Sequence, residues 1–249
     1  LRLIQKFGVG LNTIDLEAAK ARDIRVSNLP GTNSRAVAEM TLALMLAALR
    51  RIPAFDVATR AGEGWSWDPA LQDRLGEVHG RTIGLVGYGA VPQILAPILT
   101  AMGAEVLYTA RSPKTGAVGQ FCTLEELIAR ADIVSLHVPL TAETENMLGA
   151  DAIAAMKPGA ILINTARGGL VDNDALAAAL SDGRLAAAGL DTFAAEPVDA
   201  GDPLLHLDNA LLTPHVAWLT PETIDRSLAI AADNVRRLAA GETLHNQVG

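Results

Sequence analysis

Apolar positions along the chain follow two alternating rhythms, short continuous runs and longer stretches at three- and four-residue spacing. The runs at residues 82–86, 105–109, 132–136, 160–164, 186–190 and 210–212 predict strands, and helical patterns separate most of them. Such alternation implies right-handed crossovers and a doubly wound parallel sheet of the Rossmann type, an α/β fold. Ligands of such a sheet sit beyond the carboxyl ends of its strands.

The opening repeats the rhythm in miniature, with apolar runs at 1–6 and 24–27 flanking a helical pattern at 15–21. Asn33 or Ser34 is placed to cap a further helix, which Pro53 is expected to end, and residues 61–68 form an arm rich in Gly and Trp. A last amphipathic helix runs from Pro221 to about residue 238, before a polar tail. These elements divide the chain into 1–32, the remnant of a flavodoxin-like substrate domain, 33–214, a dinucleotide-binding domain with its linker helix, and 215–249, a return to the substrate domain. Because Leu1 already opens on a buried strand, a preceding segment is expected to be missing, and with it much of the pocket that would select a substrate.

Composition narrows the class. Half of the 249 residues are hydrophobic, enough for a sizeable core, and the formal charge is −8. No stretch concentrates Lys and Arg, so nucleic acid is not expected as a partner. No apolar run is long enough to span a bilayer, so no membrane is expected either. The single cysteine excludes an internal disulfide and fits a reducing cytoplasm. No metal site is called for.

Gly87-Tyr88-Gly89-Ala90-Val91-Pro92 leaves a strand and opens a helix, the context in which a glycine turn lets a pyrophosphate approach backbone amides. Pro92 replaces the third glycine of the fingerprint, which a first helical turn tolerates. The Ala90 and Val91 amides remain available. The strand ending at Thr109 is followed by Ala110-Arg111-Ser112-Pro113-Lys114, without the carboxylate that usually binds an adenosine ribose. Arg111 and Ser112 suit a 2′-phosphate instead, which favours NADP over NAD. Solvation of a surface loop is the plainer role for these charges.

Three polar residues stand beside three successive late strands: Arg167, Glu196 and His215. A 2-oxo acid needs a permanent cation for its carboxylate and a proton donor for its carbonyl oxygen as hydride arrives. Arg167 suits the first task and His215 the second. Glu196 is the natural carboxylate partner of the imidazole. Asp191 suits the nicotinamide carboxamide or ribose. Taken singly, each could serve a purely structural pairing.

Together, Gly8-Val9-Gly10, Gly87-Tyr88-Gly89, His137-Val138-Pro139-Leu140-Thr141, Asn164-Thr165-Ala166-Arg167-Gly168, Asp191, Glu196-Pro197 and Pro214-His215 resemble the D-isomer-specific 2-hydroxyacid dehydrogenase family, over nearly the whole chain. The resemblance implies Arg167, Glu196 and His215 as the catalytic set, and Val9, Gly10 and Arg167 as holders of the substrate carboxylate. It implies Ala90, Val91, Val138, Pro139, Thr165, Ala166 and Asp191 along the dinucleotide. Ala110-Arg111-Ser112 resembles the NADPH-preferring glyoxylate and hydroxypyruvate reductases of the family, so reduction of a small 2-oxo acid to a 2-hydroxy acid is the expected activity. Trp65, Trp67 and the helix at 36–49 are expected in a homodimer interface. The alternatives are a dinucleotide-sensing interaction protein of the same fold, or a fragment with impaired turnover.

Overall fold

The computed structural model describes residues 1–11, 13–65 and 75–248, which form two compact units. Trp67 and the end of the predicted arm lie outside the described residues. The smaller unit comprises Leu1–Ala36 and Trp218–Gly249, and the larger Val37–Ala217.

In the smaller unit β1 (Leu3–Gln5) and β2 (Arg25–Ser27) pair in parallel across α1 (Leu16–Lys20). The Asp15 side chain caps α1 by accepting from the Ala18 amide, which removes one orphan donor of the first turn. The tail beyond the last helix is not merely polar. Its residues Gln247–Val248 form β10, antiparallel to β2, so the sheet has three strands and the outer edge of β2 is covered. The last helix, α8 (Pro221–Ala240), starts with Thr220 as cap and Pro221 in its first turn, and ends at Gly241 with φ +74°. Asn234 on this helix is fully buried and donates to Gln5 Oε1 and Ser27 Oγ, tying α8 to β1 and β2.

The chain enters the larger unit along α2 (Ser34–Arg50). Pro53 does not end that helix. The break falls at Arg51, whose φ is +50°, and Pro53 sits in the first turn of a separate helix, α3 (Ile52–Arg60), where its missing N–H has no intrahelical acceptor.

Seven parallel strands follow: β3 (Thr82–Val86), β4 (Glu105–Thr109), β5 (Gln120–Phe121), β6 (Ile133–Leu136), β7 (Ala160–Asn164), β8 (Leu185–Leu190) and β9 (Ala210–Leu212). Their spatial order is β5-β4-β3-β6-β7-β8-β9. The chain winds outward from β3 to β5 and then returns to β6 on the other side of β3. That reversal opens a crevice at the carboxyl ends of β3 and β6.

Helices α4 (Ala90–Ala101), α5 (Leu124–Arg130), α6 (Ala150–Ala155) and α7 (Asn173–Ser181) connect the strands. Both sheet faces are buried, which is why the strands read as continuous apolar runs. On β7, Ile161 and Ile163 join a core with Leu44, Met45, Leu95 and Leu99, while Leu162 joins the opposite core with Leu127, Ile153 and Leu176. No helix among the described residues is long and apolar enough to cross a membrane.

Candidate active site

The glycine turn after β3 has two separate steric causes. Gly87 adopts φ +102°, and a β-carbon there would stand 2.7 Å from the His137 carbonyl oxygen and 3.0 Å from Val138 Cγ1. Gly87 therefore lets β3 close against the segment after β6, and its own amide donates to the Thr109 carbonyl at the end of β4. Gly89 is different. A β-carbon there would meet nothing within 4 Å, so space lies open beside the cap of α4.

Within α4, Gln93 is the first residue whose amide reaches back to the Gly89 carbonyl. Ala90 and Val91 precede it and their amides have no intrahelical acceptor, while Pro92 is buried in the first turn and has no amide to satisfy. Open space faced by these amides at a helix N-terminus fits a pyrophosphate. Val138 and Pro139 follow β6 on the other side of the crevice, and Arg111 and Ser112 follow β4, exposed.

Thr165 and Ala166 follow β7. The Thr165 hydroxyl is 2.9 Å from that of Thr41 on α2, both buried. Buried Asn164 shapes this turn: its Oδ1 accepts from the Ala166 amide at 3.0 Å and its Nδ2 donates to the Arg167 carbonyl at 2.8 Å. Arg167 emerges half-buried from the clamp. Gly168 then passes against the Phe193–Ala194 backbone, where a β-carbon would lie within 1.9 Å of Phe193 C.

The loop beyond β8 carries Glu196. Its Oε1 accepts from the Phe193 amide at 3.0 Å, and its Oε2 lies 2.7 Å from His215 Nδ1. Partial desolvation pulls the Glu196 carboxyl pKa upward. The His215 and Phe193 hydrogen bonds and the charges of His215 and Arg167 outweigh it and hold the carboxyl below its ordinary range. Arg167, Glu196 and His215 thus form one electrostatic cluster, with roughly a third of the Glu196 and His215 side chains exposed.

Asp191 follows β8 and turns its carboxylate toward the segment after β9. It has no exposure, and its carboxylate accepts from Thr213 Oγ1 at 2.6 Å, the Val216 amide at 2.9 Å and the Ala217 amide at 2.8 Å. These three donors flank His215, whose backbone has φ +55°, an uncommon conformation for a residue with a side chain. Asp191 holds the His215 turn from beneath. Val9 and Gly10 lie beyond β1 in the smaller unit, where Asn28 Nδ2 donates to the Val9 carbonyl at 2.9 Å. Sequence reasoning missed Asn164 and Gly168 as builders of the cluster. The signal was present, since an Asx residue three positions before an arginine and a glycine just after it mark a tight turn.

Residues 42–217 match the model of the D-isomer specific 2-hydroxyacid dehydrogenase, NAD binding domain. The chain belongs to this family. Its cofactor is therefore a nicotinamide dinucleotide, in keeping with the turn between β3 and α4. A glyoxylate reductase of Aeropyrum pernix is 40% identical over 259 residues, which take in the whole chain and 76% of the relative. A D-3-phosphoglycerate dehydrogenase of Mycobacterium tuberculosis is 40% identical over 254 residues, and the chain spans only 47% of its length. The solved TT0316 protein from Thermus thermophilus superposes with a TM-score of 0.93 at 44% identity, covering all of this chain and 79% of that one.

Proposed function

We propose that the chain carries out hydride transfer between a nicotinamide dinucleotide and a small 2-oxo acid, reducing it to the 2-hydroxy acid. The observation that carries this reading is the Glu196–His215 contact of 2.7 Å beside Arg167, on loops leaving β7, β8 and β9. The glyoxylate reductase among the relatives supports a substrate of the glyoxylate or hydroxypyruvate type.

When bound, a reduced nicotinamide would supply the hydride for carbon 2 of the substrate. Arg167 is the permanent cation for the substrate carboxylate, held by the Asn164 clamp. His215 gives a proton from Nε2 to the carbonyl oxygen, so that the alkoxide never forms free, and regains it from solvent. Glu196 orients the ring through Nδ1. Asp191 fixes the turn that presents it. Gly89, Ala90 and Val91 would receive the pyrophosphate at the turn that Gly87 shapes, with Val138, Pro139, Thr165 and Ala166 along the remaining crevice.

NADPH is the preferred donor in this reading, because Arg111 and Ser112 follow β4 where a carboxylate would repel a 2′-phosphate. Following nicotinamide absorbance with NADPH and NADH against glyoxylate, hydroxypyruvate and larger 2-oxo acids tests both points. Consumption with formation of the 2-hydroxy acid, faster with NADPH and reduced by Arg111→Ala, is expected. Dinucleotide binding without consumption across the panel would reject the catalytic reading, and equal or faster use of NADH would reject the cofactor preference.

A further inference from the structure

The segment that carries Arg111 and Ser112 has no regular structure between β4 and β5, yet two buried phenols pin it. Tyr88, the residue between Gly87 and Gly89, is 8% exposed, and its Oη accepts from the Val118 amide at 2.7 Å and donates to the Val118 carbonyl at 3.0 Å. One hydroxyl therefore satisfies both backbone groups of a single loop residue. Tyr108, on β4, is 2% exposed, and its Oη accepts from the Lys114 amide at 3.0 Å. The two rings pack at 4.3 Å between centroids, so each hydroxyl is held by the other tyrosine's position as well as by its own strand.

The far end of the loop is fixed by close approach. Gly119 has φ +109°, and a β-carbon there would stand 2.7 Å from the Val106 carbonyl oxygen. Arg111 and Ser112 are thus the exposed front of a loop with both ends fixed and its middle tied to two phenols.

We propose that Tyr88 and Tyr108 are positioning residues for the adenosine end of the dinucleotide, acting through the loop to fix Arg111 and Ser112. The proposal rests on the assignment of those two residues to the dinucleotide. Tyr88 also couples the two ends of that site, because its backbone belongs to the pyrophosphate turn while its hydroxyl holds the adenosine loop. Removing the hydroxyl leaves the Val118 amide and carbonyl without that partner, and the loop gains conformations in which Arg111 is elsewhere.

The test uses the whole chain with Tyr88→Phe and, separately, Tyr108→Phe, and two fragments as probes, 2′,5′-ADP and 5′-AMP, titrated calorimetrically. Each variant is expected to melt cooperatively. Affinity for 2′,5′-ADP should fall roughly tenfold, the scale of one misplaced charge-assisted hydrogen bond, and hydrogen exchange at the Val118 amide should accelerate in Tyr88→Phe and at the Lys114 amide in Tyr108→Phe. In steady state the KM for dinucleotide should rise while kcat holds. Folded variants with wild-type affinity for both fragments would overturn the positioning role. Failure of the NADPH reading shows elsewhere, in the wild-type chain, as equal affinity for the two fragments.

Discussion

A β-carbon on Gly168 would lie within 1.9 Å of the Phe193 carbonyl carbon, so the turn after Arg167 and the loop leading to Glu196 are in direct backbone contact. Gly168→Ala should push the two loops apart, destabilising the protein by ~1–3 kcal/mol, the usual cost of overpacking. Turnover should drop more than tenfold while dinucleotide affinity stays near wild type. Thermal melts, dinucleotide titration and steady-state rates read these quantities separately. A Gly168→Ala protein with wild-type turnover would show that the contact does not set the cluster's geometry.

His215→Ala should lower turnover by roughly 100- to 10,000-fold, the range for loss of a general acid, and leave dinucleotide affinity intact. Glu196 is subject to a pH argument of definite sign. Its carboxyl is held below the ordinary range, so the stability that its ionised form contributes is fully present above about pH 4.5, the ordinary value, and is lost only as pH falls through the lower folded value. Reduction should therefore show no acid limb from Glu196 between neutrality and about pH 5. Glu196→Gln keeps a polar partner for His215 Nδ1 but removes the negative charge beside the ring, so turnover should fall while dinucleotide affinity stays near wild type. Steady-state rates and dinucleotide titration of wild type and variant decide it. Wild-type turnover in Glu196→Gln would detach the carboxylate charge from the proton transfer.

Much of this architecture was legible because buried parallel strands are apolar on both faces and because each motif sits where a strand ends. The run Thr82–Val86 followed by Gly87 carries its own punctuation, and β3 has the bounds that the pattern predicts. Gln120–Phe121 and Gln247–Val248 were invisible, since two residues carry no periodicity. Pro53 misled because a proline reads alike at the end of one helix and in the first turn of the next; the deciding feature, φ +50° at Arg51, has no sequence signature. At the site, side-chain chemistry pointed to Arg167, Glu196 and His215. It could not reveal that the Asp191 carboxylate accepts from Thr213, Val216 and Ala217, because a carboxylate at a strand end carries no sign in the sequence of its distant backbone partners.

We propose a two-fold homodimer that keeps Trp65 of the expected interface and adds α3. Leu44, Met45, Ala48 and Leu49 of α2 are buried in the unit's own core. On α3, by contrast, no residue is buried, with Ile52 53% and Val57 69% exposed, and Trp65 beyond it is 82% exposed. Exposed apolar side chains on a short helix with a neighbouring exposed aromatic suit an interface core. Val57→Lys should shift the mass in solution from dimer toward monomer, read by light scattering. A wild-type chain that is monomeric at all concentrations would remove the proposal.

His137 gives the last prediction, because its ionisation should report on the crevice itself. Its amide donates to the Val86 carbonyl at 2.8 Å, its own carbonyl stands where a Gly87 side chain would be, and its Nε2 lies 2.9 Å from the buried Ser135 hydroxyl. Burial pushes the imidazole down from 6.5 to about 3. Between those values the unfolded chain binds a proton that the folded chain refuses, so stability rises with pH across this window and is fully present above pH 6.5. The limiting slope for one such group is about 1.4 kcal/mol per pH unit. Asp132 and Glu196, whose pKa values are lowered, lose their contributions only at more acid pH, which leaves the stretch from 6.5 down to about 4.5 to histidine. Urea unfolding of wild type and His137→Gln should therefore give a stability difference that shrinks as pH falls through this stretch, because only the wild type pays for keeping the imidazole neutral. A difference that stays constant from pH 7 to about 4.5 would mean that His137 protonates without cost in the folded chain.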